Sequence, residues 1–177
     1  MAVRACTPEF KRDVVILIPK KAGADGCKNY MTLALQPVAA KVYAMVLRER
    51  LSKWLEQQLL EPQYGFRPGR GCADAFFSLR SLCSLAWNKK KTLYICMLDL
   101  AKAFDSADRD LAWRILLTRG APPKLVALLK DLHTDHCGII RAELDSADVH
   151  IDKGFKQGCV NAPGLFSIYL DTVVRQL

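Results

Sequence analysis

LDLAKAFDSADR, residues 98–109, sets the reading of the whole chain. Directly ahead of it, residues 92–98 (TLYICML) are β-branched, aromatic and aliphatic, with no Gly or Pro, a composition that predicts a buried strand. Asp99 then stands at the strand's end. An ionised carboxylate at the lip of an apolar strand costs free energy unless a cation meets it, and Lys102, Arg109 or a metal ion could do so. Two readings follow: Asp99 belongs to a magnesium site, or it merely ends the strand while Asp105 or Ser106 caps the helix that follows.

The 177-residue chain suits one domain or a portion of a larger one, and at 51% hydrophobic and 25% charged residues its composition is globular rather than disordered. Its formal charge of +8 is unevenly spread. Residues 1–91 hold 16 Lys and Arg against 7 Asp and Glu, whereas residues 92–177 hold 10 against 11. This asymmetry fits a nucleic-acid-binding half joined to a half that holds carboxylates for metal; a basic solvated surface is the plainer reading. The seven cysteines are scattered, odd in number and without a CxxC pair, which supports neither a zinc site nor a disulfide framework. With no signal peptide and no apolar run of membrane-spanning length, a reducing intracellular compartment, nucleus or cytoplasm, is expected and no membrane partner. His133 and His136, three apart in LHTDH, are expected on the surface.

From the N-terminus, residues 13–19 (DVVILIP) predict a short strand, 22–28 a turn with Gly23 and Gly26, and 29–35 (NYMTLAL) a second strand. Such a hairpin could lay the ammonium groups of Lys20 and Lys21 on phosphates. Residues 36–60 predict the longest helix, with Val42, Val46, Leu47, Leu51, Trp54, Leu55 and Leu59 facing inward. The loop opening QYGFRPGRGCADAFFSLR (63–80) combines glycines, the guanidinium forks of Arg67 and Arg70, and the rings of Tyr64 and Phe66, a mixture suited to a nucleic-acid backbone. A helix from about Ala73 to Trp87 leads into a basic turn of Lys89, Lys90 and Lys91. Further on, the pattern predicts helices from Asp105 to a stop at Gly120 and from Pro122 through Leu132. Strands at 137–144 and 149–155 then flank a turn at Ser146, and the glycine turn KQGCVNAP (156–163) leads into a helix over 164–177.

LDLAKAFDSADR resembles motif A of reverse transcriptases, specifically those of non-LTR (LINE-type) retrotransposons. DVVILIPKK, NYMTLAL, QYGFRPGRGCADAFFSLR and GFKQGCVNAPGLFSIYLD follow the family's order, so the resemblance covers nearly the whole chain. It implies an α+β fold, a right-hand polymerase with fingers over roughly 1–91 and an incomplete palm over 92–177. It further implies two-magnesium nucleotidyl transfer on an RNA template and DNA primer from deoxynucleoside triphosphates.

By the same resemblance Asp99 is a metal ligand and Phe104 the aromatic that crowds a ribose 2′ hydroxyl. Lys20 or Lys21 touches the triphosphate, Gln157 and Gly158 floor the nucleotide pocket, and Arg67, Arg70 and Lys89 to Lys91 meet nucleic acid. Met31 stands where relatives commonly have Arg, which removes a fork of donors for the triphosphate. The family's Tyr-x-Asp-Asp turn would follow the last helix, and no adjacent Asp pair occurs in this sequence, so a fragment without activity of its own is expected. A non-catalytic nucleic-acid-binding remnant is the alternative. An unrelated magnesium phosphotransferase using Asp99 and Asp105 would leave the other four motifs unexplained.

Overall fold

The computed structural model describes residues 6–23, 26, 29–141 and 146–176. A mixed four-stranded sheet packs beside a cluster of helices. The strands are β1 (Arg12–Pro19), β2 (Tyr30–Leu35), β3 (Cys137–Arg141) and β4 (Ser146–His150), in the order β2-β1-β3-β4. β1 is antiparallel to β2 and parallel to β3, and β3 is antiparallel to β4. The first-half hairpin and the later one therefore share a single sheet, joined where Val15 pairs with Ile140. Part of the expected 22–28 turn lies outside the described residues. The second hairpin strand begins at Ser146, ahead of the expected 149, and the turn before it lies outside them too.

The helices are α1 (Val38–Leu55), α2 (Cys72–Asn88), α3 (Ala103–Ser106), α4 (Arg109–Thr118), α5 (Pro123–His133) and α6 (Ala162–Val174). None of the described helices is long and apolar enough to cross a membrane. α1, α4, α5 and α6 enclose the core through Leu47, Leu51, Trp113, Leu116, Leu129, Leu132, Leu165 and Ile168. The inward face of α1 is rotated from the expected one: Ala40 and Ala44 are buried, whereas Val42 and Val46 are exposed. Small residues there permit close approach. Asn161 at the start of α6 donates to the Ala44 carbonyl at 3.1 Å, a contact for which a bulkier neighbouring face would leave less room.

The largest departure from the sequence reading is at residues 92–98. They form no strand and all are exposed, Tyr94 at 91% and Met97 at 83%. β-propensity expresses packing on a pleated surface beside a hydrogen-bonded neighbour, and this run pairs with no strand of the sheet. α2, just before it, also buries no residue.

Buried charges tie the elements together. Asp171 on α6 accepts from Arg119 at 2.5 Å, Arg175 at 2.7 Å and the Leu60 amide at 2.8 Å, joining α6 to the end of α4 and to the segment that follows α1. Arg109 donates to the carbonyls of His133, Ile151, Lys153 and Gly154, so it clamps the return from the sheet and does not reach for Asp99. Both histidines are interior, against the surface reading: His133 donates from Nδ1 to the Leu129 carbonyl at 2.8 Å, and His136 meets Asp13.

Burial pushes the His133 imidazole down to about 3. Folded His133 stays neutral while the unfolded chain takes up a proton below about 6.5, so this stability is complete above that pH and declines as pH falls toward 3. Urea unfolding at pH 7 and pH 5 should show a loss to which His133 contributes about 2 kcal/mol. His133→Phe should remove that part of the pH dependence; an unchanged difference between the two pH values would contradict it.

Candidate functional site

The turn at residues 154–159 touches two other backbones at once. The Phe155 amide donates to the Phe104 carbonyl at 2.7 Å and the Gly154 amide to that of Ala107 at 3.0 Å, fixing the turn on α3. On its other side the Ala34 amide donates to the Gln157 carbonyl at 2.8 Å, fixing it on β2. Glycine is required at both approaches. A Cβ on Gly154 would lie 2.5 Å from the Asp105 carbonyl oxygen, one on Gly158 would lie 2.5 Å from that of Ala34, and their φ values are +74° and +106°.

Phe104, Gln157 and Gly158, singled out from sequence, are thereby brought together. Gln157 Nε2 donates to Asp105 Oδ1 at 2.9 Å. Asp105 is thus a partner of the turn and not the cap of the next helix; Asp108 is that cap, accepting from the Leu111 amide at 3.0 Å. The half-buried Phe104 ring lies 4.8 Å from that of Phe166 on α6 and meets the Phe66 ring edge-on at 6.0 Å. The glycine-rich loop at 63–71 therefore reaches the same place through Phe66.

The other selected residues are placed differently. Arg67 is buried, its guanidinium held by both Glu56 oxygens and by the carbonyls of Leu60 and Gln63. The Glu56 hydrogen bond raises the Arg67 pKa above its already high ordinary value. Arg70 pairs with the Glu61 carboxylate at 2.6 Å. Lys20 and Lys21 are exposed at the end of β1, where the Lys20 amide donates to the Asn29 carbonyl at 2.9 Å and closes the hairpin. Lys89, Lys90 and Lys91 are exposed at the end of α2, with Lys90 in the left-handed region at φ 50°. Met31 pairs with Ile18 at the outer part of the hairpin and is 44% exposed.

Asp99 is exposed within the run that forms no strand, and it takes no part in the 154–159 turn's hydrogen bonds. Among the described residues no group of three His, Cys, Asp or Glu side chains could hold a metal ion. The described residues therefore do not fit a complete two-ion site.

Sequence reasoning missed a buried polar cluster beneath the turn. Asp13 Oδ2 accepts from His136 Nε2 at 2.8 Å and lies 3.3 Å from Lys156 Nζ, with all three side chains fully buried. Burial works against the Asp13 charge, but His136 and Lys156 together hold its carboxyl below the ordinary value. Burial lowers both His136 and Lys156, with Asp13 opposing. A cavity of about 280 Å³ adjoins the cluster, lined by Val15, Ala34, Asp105, Phe155 and Gln157 among others. The available signal was an Asp opening an otherwise apolar strand and a Lys immediately before Gln157.

A family model for "Reverse transcriptase (RNA-dependent DNA polymerase)" matches residues 18–177. The putative 115 kDa protein in type-1 retrotransposable element R1DM of Drosophila melanogaster is 25% identical over 171 residues, 96% of this chain and 16% of that protein. The retrovirus-related Pol polyprotein from type-2 retrotransposable element R2DM of the same fly is 25% identical over 163 residues, 92% of this chain and 15% of that one. The corresponding polyprotein from type-1 retrotransposable element R2 of Nasonia vitripennis is 26% identical over 176 residues, 97% and 17%. The chain thus spans about a sixth of the length of these relatives.

The turn's dependence on glycine is measurable. Gly158→Ala should lower the free energy of unfolding by about 2–3 kcal/mol, whereas Gly69→Ala, at φ +70° with open space around it, should cost about 1 kcal/mol. Equal urea midpoints for the two variants would mean that the contact with Ala34 is not close.

Proposed function

This chain belongs to the reverse transcriptase (RNA-dependent DNA polymerase) family, and we propose on that footing that it is the nucleotide- and template-handling portion of an RNA-directed DNA polymerase from a non-LTR (LINE-type) retrotransposon. The observation that carries the reading is the meeting of Phe104, Gln157 and Gly158 on one turn that also touches β2. In this reading residues 1–91 are fingers and 92–177 part of a palm. Phe104 is backed by Phe166, so its ring is held rather than free to swing, as a residue that rejects a ribose 2′ hydroxyl must be. Gln157, oriented by Asp105, presents a fixed amide to the nucleotide or the templating base.

RNA template, DNA primer and deoxynucleoside triphosphates are the proposed partners. Mg²⁺ is the proposed ion and Asp99 its proposed donor from this chain; with no group of three such ligands assembled among the described residues, no step is assigned to the metal. Arg67 and Arg70 support the loop that carries Phe66, so contact with phosphate falls mainly to the exposed Lys89 to Lys91. Lys20 and Lys21 remain the proposed triphosphate contacts. Met31 favours a second reading, nucleic-acid binding without catalysis, because a thioether cannot supply the fork of donors that an Arg would.

Two measurements test these readings. The 177-residue chain should bind single-stranded RNA or DNA without sequence preference, and affinity should fall steeply with salt through counterion release. Replacing Lys89, Lys90 and Lys91 with Ala should reduce the log–log salt slope by about 2, at roughly 0.7 per phosphate contact. Binding indifferent to salt would remove both readings. In a polypeptide uniting this chain with the remainder of a polymerase, Phe104→Ala should raise ribonucleotide incorporation relative to deoxynucleotide by at least about tenfold. An unaltered ratio would show that Phe104 does not face the sugar.

A further inference from the structure

Lys156 directly precedes Gln157, and its ammonium lies inside the protein with side-chain exposure of 0%, as does that of Asp13. A lysine is seldom buried unless it is paired, and a turn offers many ways to leave one in water. Consecutive residues of this turn are in fact anchored in three directions. Phe155 enters the core against Trp113 and His133, Lys156 points to Asp13 on β1, and Gln157 reaches Asp105 on α3.

The cavity of about 280 Å³ lies between β1 and this turn, with Val15 on one wall and Phe155, Lys156 and Gln157 on another. Apolar packing therefore does not by itself set the distance between strand and turn there. The Asp13–Lys156 pair crosses from one to the other at 3.3 Å, and His136 at 2.8 Å fixes the carboxylate it uses. The same carboxylate oxygen thus links β1, the approach to β3 and the turn.

We propose that the buried Asp13–Lys156 pair positions Gln157 and Gly158 against β2, so that a charge pair inside the domain governs the floor of the nucleotide pocket. Its functional sense rests on the reading given above. Its geometric content does not. Lys156 and Asp13 act through Gln157 and Gly158 and touch no substrate, so they are positioning residues. Removing one member leaves the other charge buried without its partner, which is far more disruptive than removing both.

Hydrogen exchange on the full 177-residue chain reads the position directly, because the Ala34 amide donates to the Gln157 carbonyl. Lys156→Met and Asp13→Asn should each speed exchange at Ala34 and Phe155 by roughly tenfold or more. Amides of Leu51 in α1 and Ile168 in α6 should stay within about twofold of the unaltered chain. The double variant Asp13→Asn with Lys156→Met should return Ala34 to within about threefold. Titration with dATP in magnesium chloride should show weaker binding in each single variant and recovery in the double. Unchanged Ala34 exchange in both single variants overturns the proposal, as does acceleration spread evenly over the chain in both, which would mark an ordinary core role. A double variant no better than the singles overturns it as well. If the exchange pattern appears while the unaltered chain binds no dATP, the positioning stands and the nucleotide-site reading fails.

Discussion

Two absent side chains hold this structure in register. At Gly154 and Gly158 the turn approaches α3 and β2 so closely that a single methyl group would collide with a carbonyl oxygen on either side. Backbone–backbone hydrogen bonds then replace side-chain packing: Phe155 and Gly154 donate to α3 and its exit, while Ala34 donates to the turn. Such contacts are short, directional and insensitive to rotamer choice, which makes them suitable for holding Gln157 in one orientation. The sheet and the helical core meet across this turn, so the site and the fold share the same joint.

Around the joint, charge is used internally to an unusual degree. Arg109 satisfies four carbonyls where the chain returns from β4, and Asp171 gathers Arg119, Arg175 and the Leu60 amide at the far end of α6. Arg67 likewise serves Glu56 and two carbonyls. Guanidinium groups suit this work because their fork keeps its charge and directs several donors at fixed angles. Part of the basic excess that suggests a nucleic-acid surface is consequently structural, and the basic turn after α2 is made of lysines.

Much of this was legible in the sequence because it depends on neighbours close in the chain. The strand before Lys20, the proline-started helix at Pro123 and the glycine turn before α6 all follow from local periodicity, breakers and caps, as does the long helix expected over 36–60, although it stops at Leu55 and not at 60. Phe104, Gln157 and Gly158 emerged from motif resemblance, and the structure brings them together. Interactions between distant residues were hidden. Asp13 and His136 are 123 positions apart, so neither signals the other, and a histidine three residues from its twin looks the same on a surface as in a core. At 92–98, composition predicted a strand whose existence depends on a partner elsewhere. α1 was rotated because alanines, weak in any hydrophobicity pattern, are the residues that allow Asn161 to reach its backbone.

The exposed run at 92–98 bears on how the chain behaves in solution. TLYICML has no charge, no Pro and no Gly, and it exposes both its apolar side chains and an unpaired backbone. These are the ingredients of edge-to-edge stacking between copies, the first step toward fibrous aggregates. Lys89, Lys90 and Lys91 stand before it and Lys102 just after, as gatekeepers whose mutual repulsion keeps neighbouring molecules from aligning. Because that repulsion is screened within about 10 Å at 0.1 M salt, colloidal stability of the isolated chain should decline as ionic strength rises.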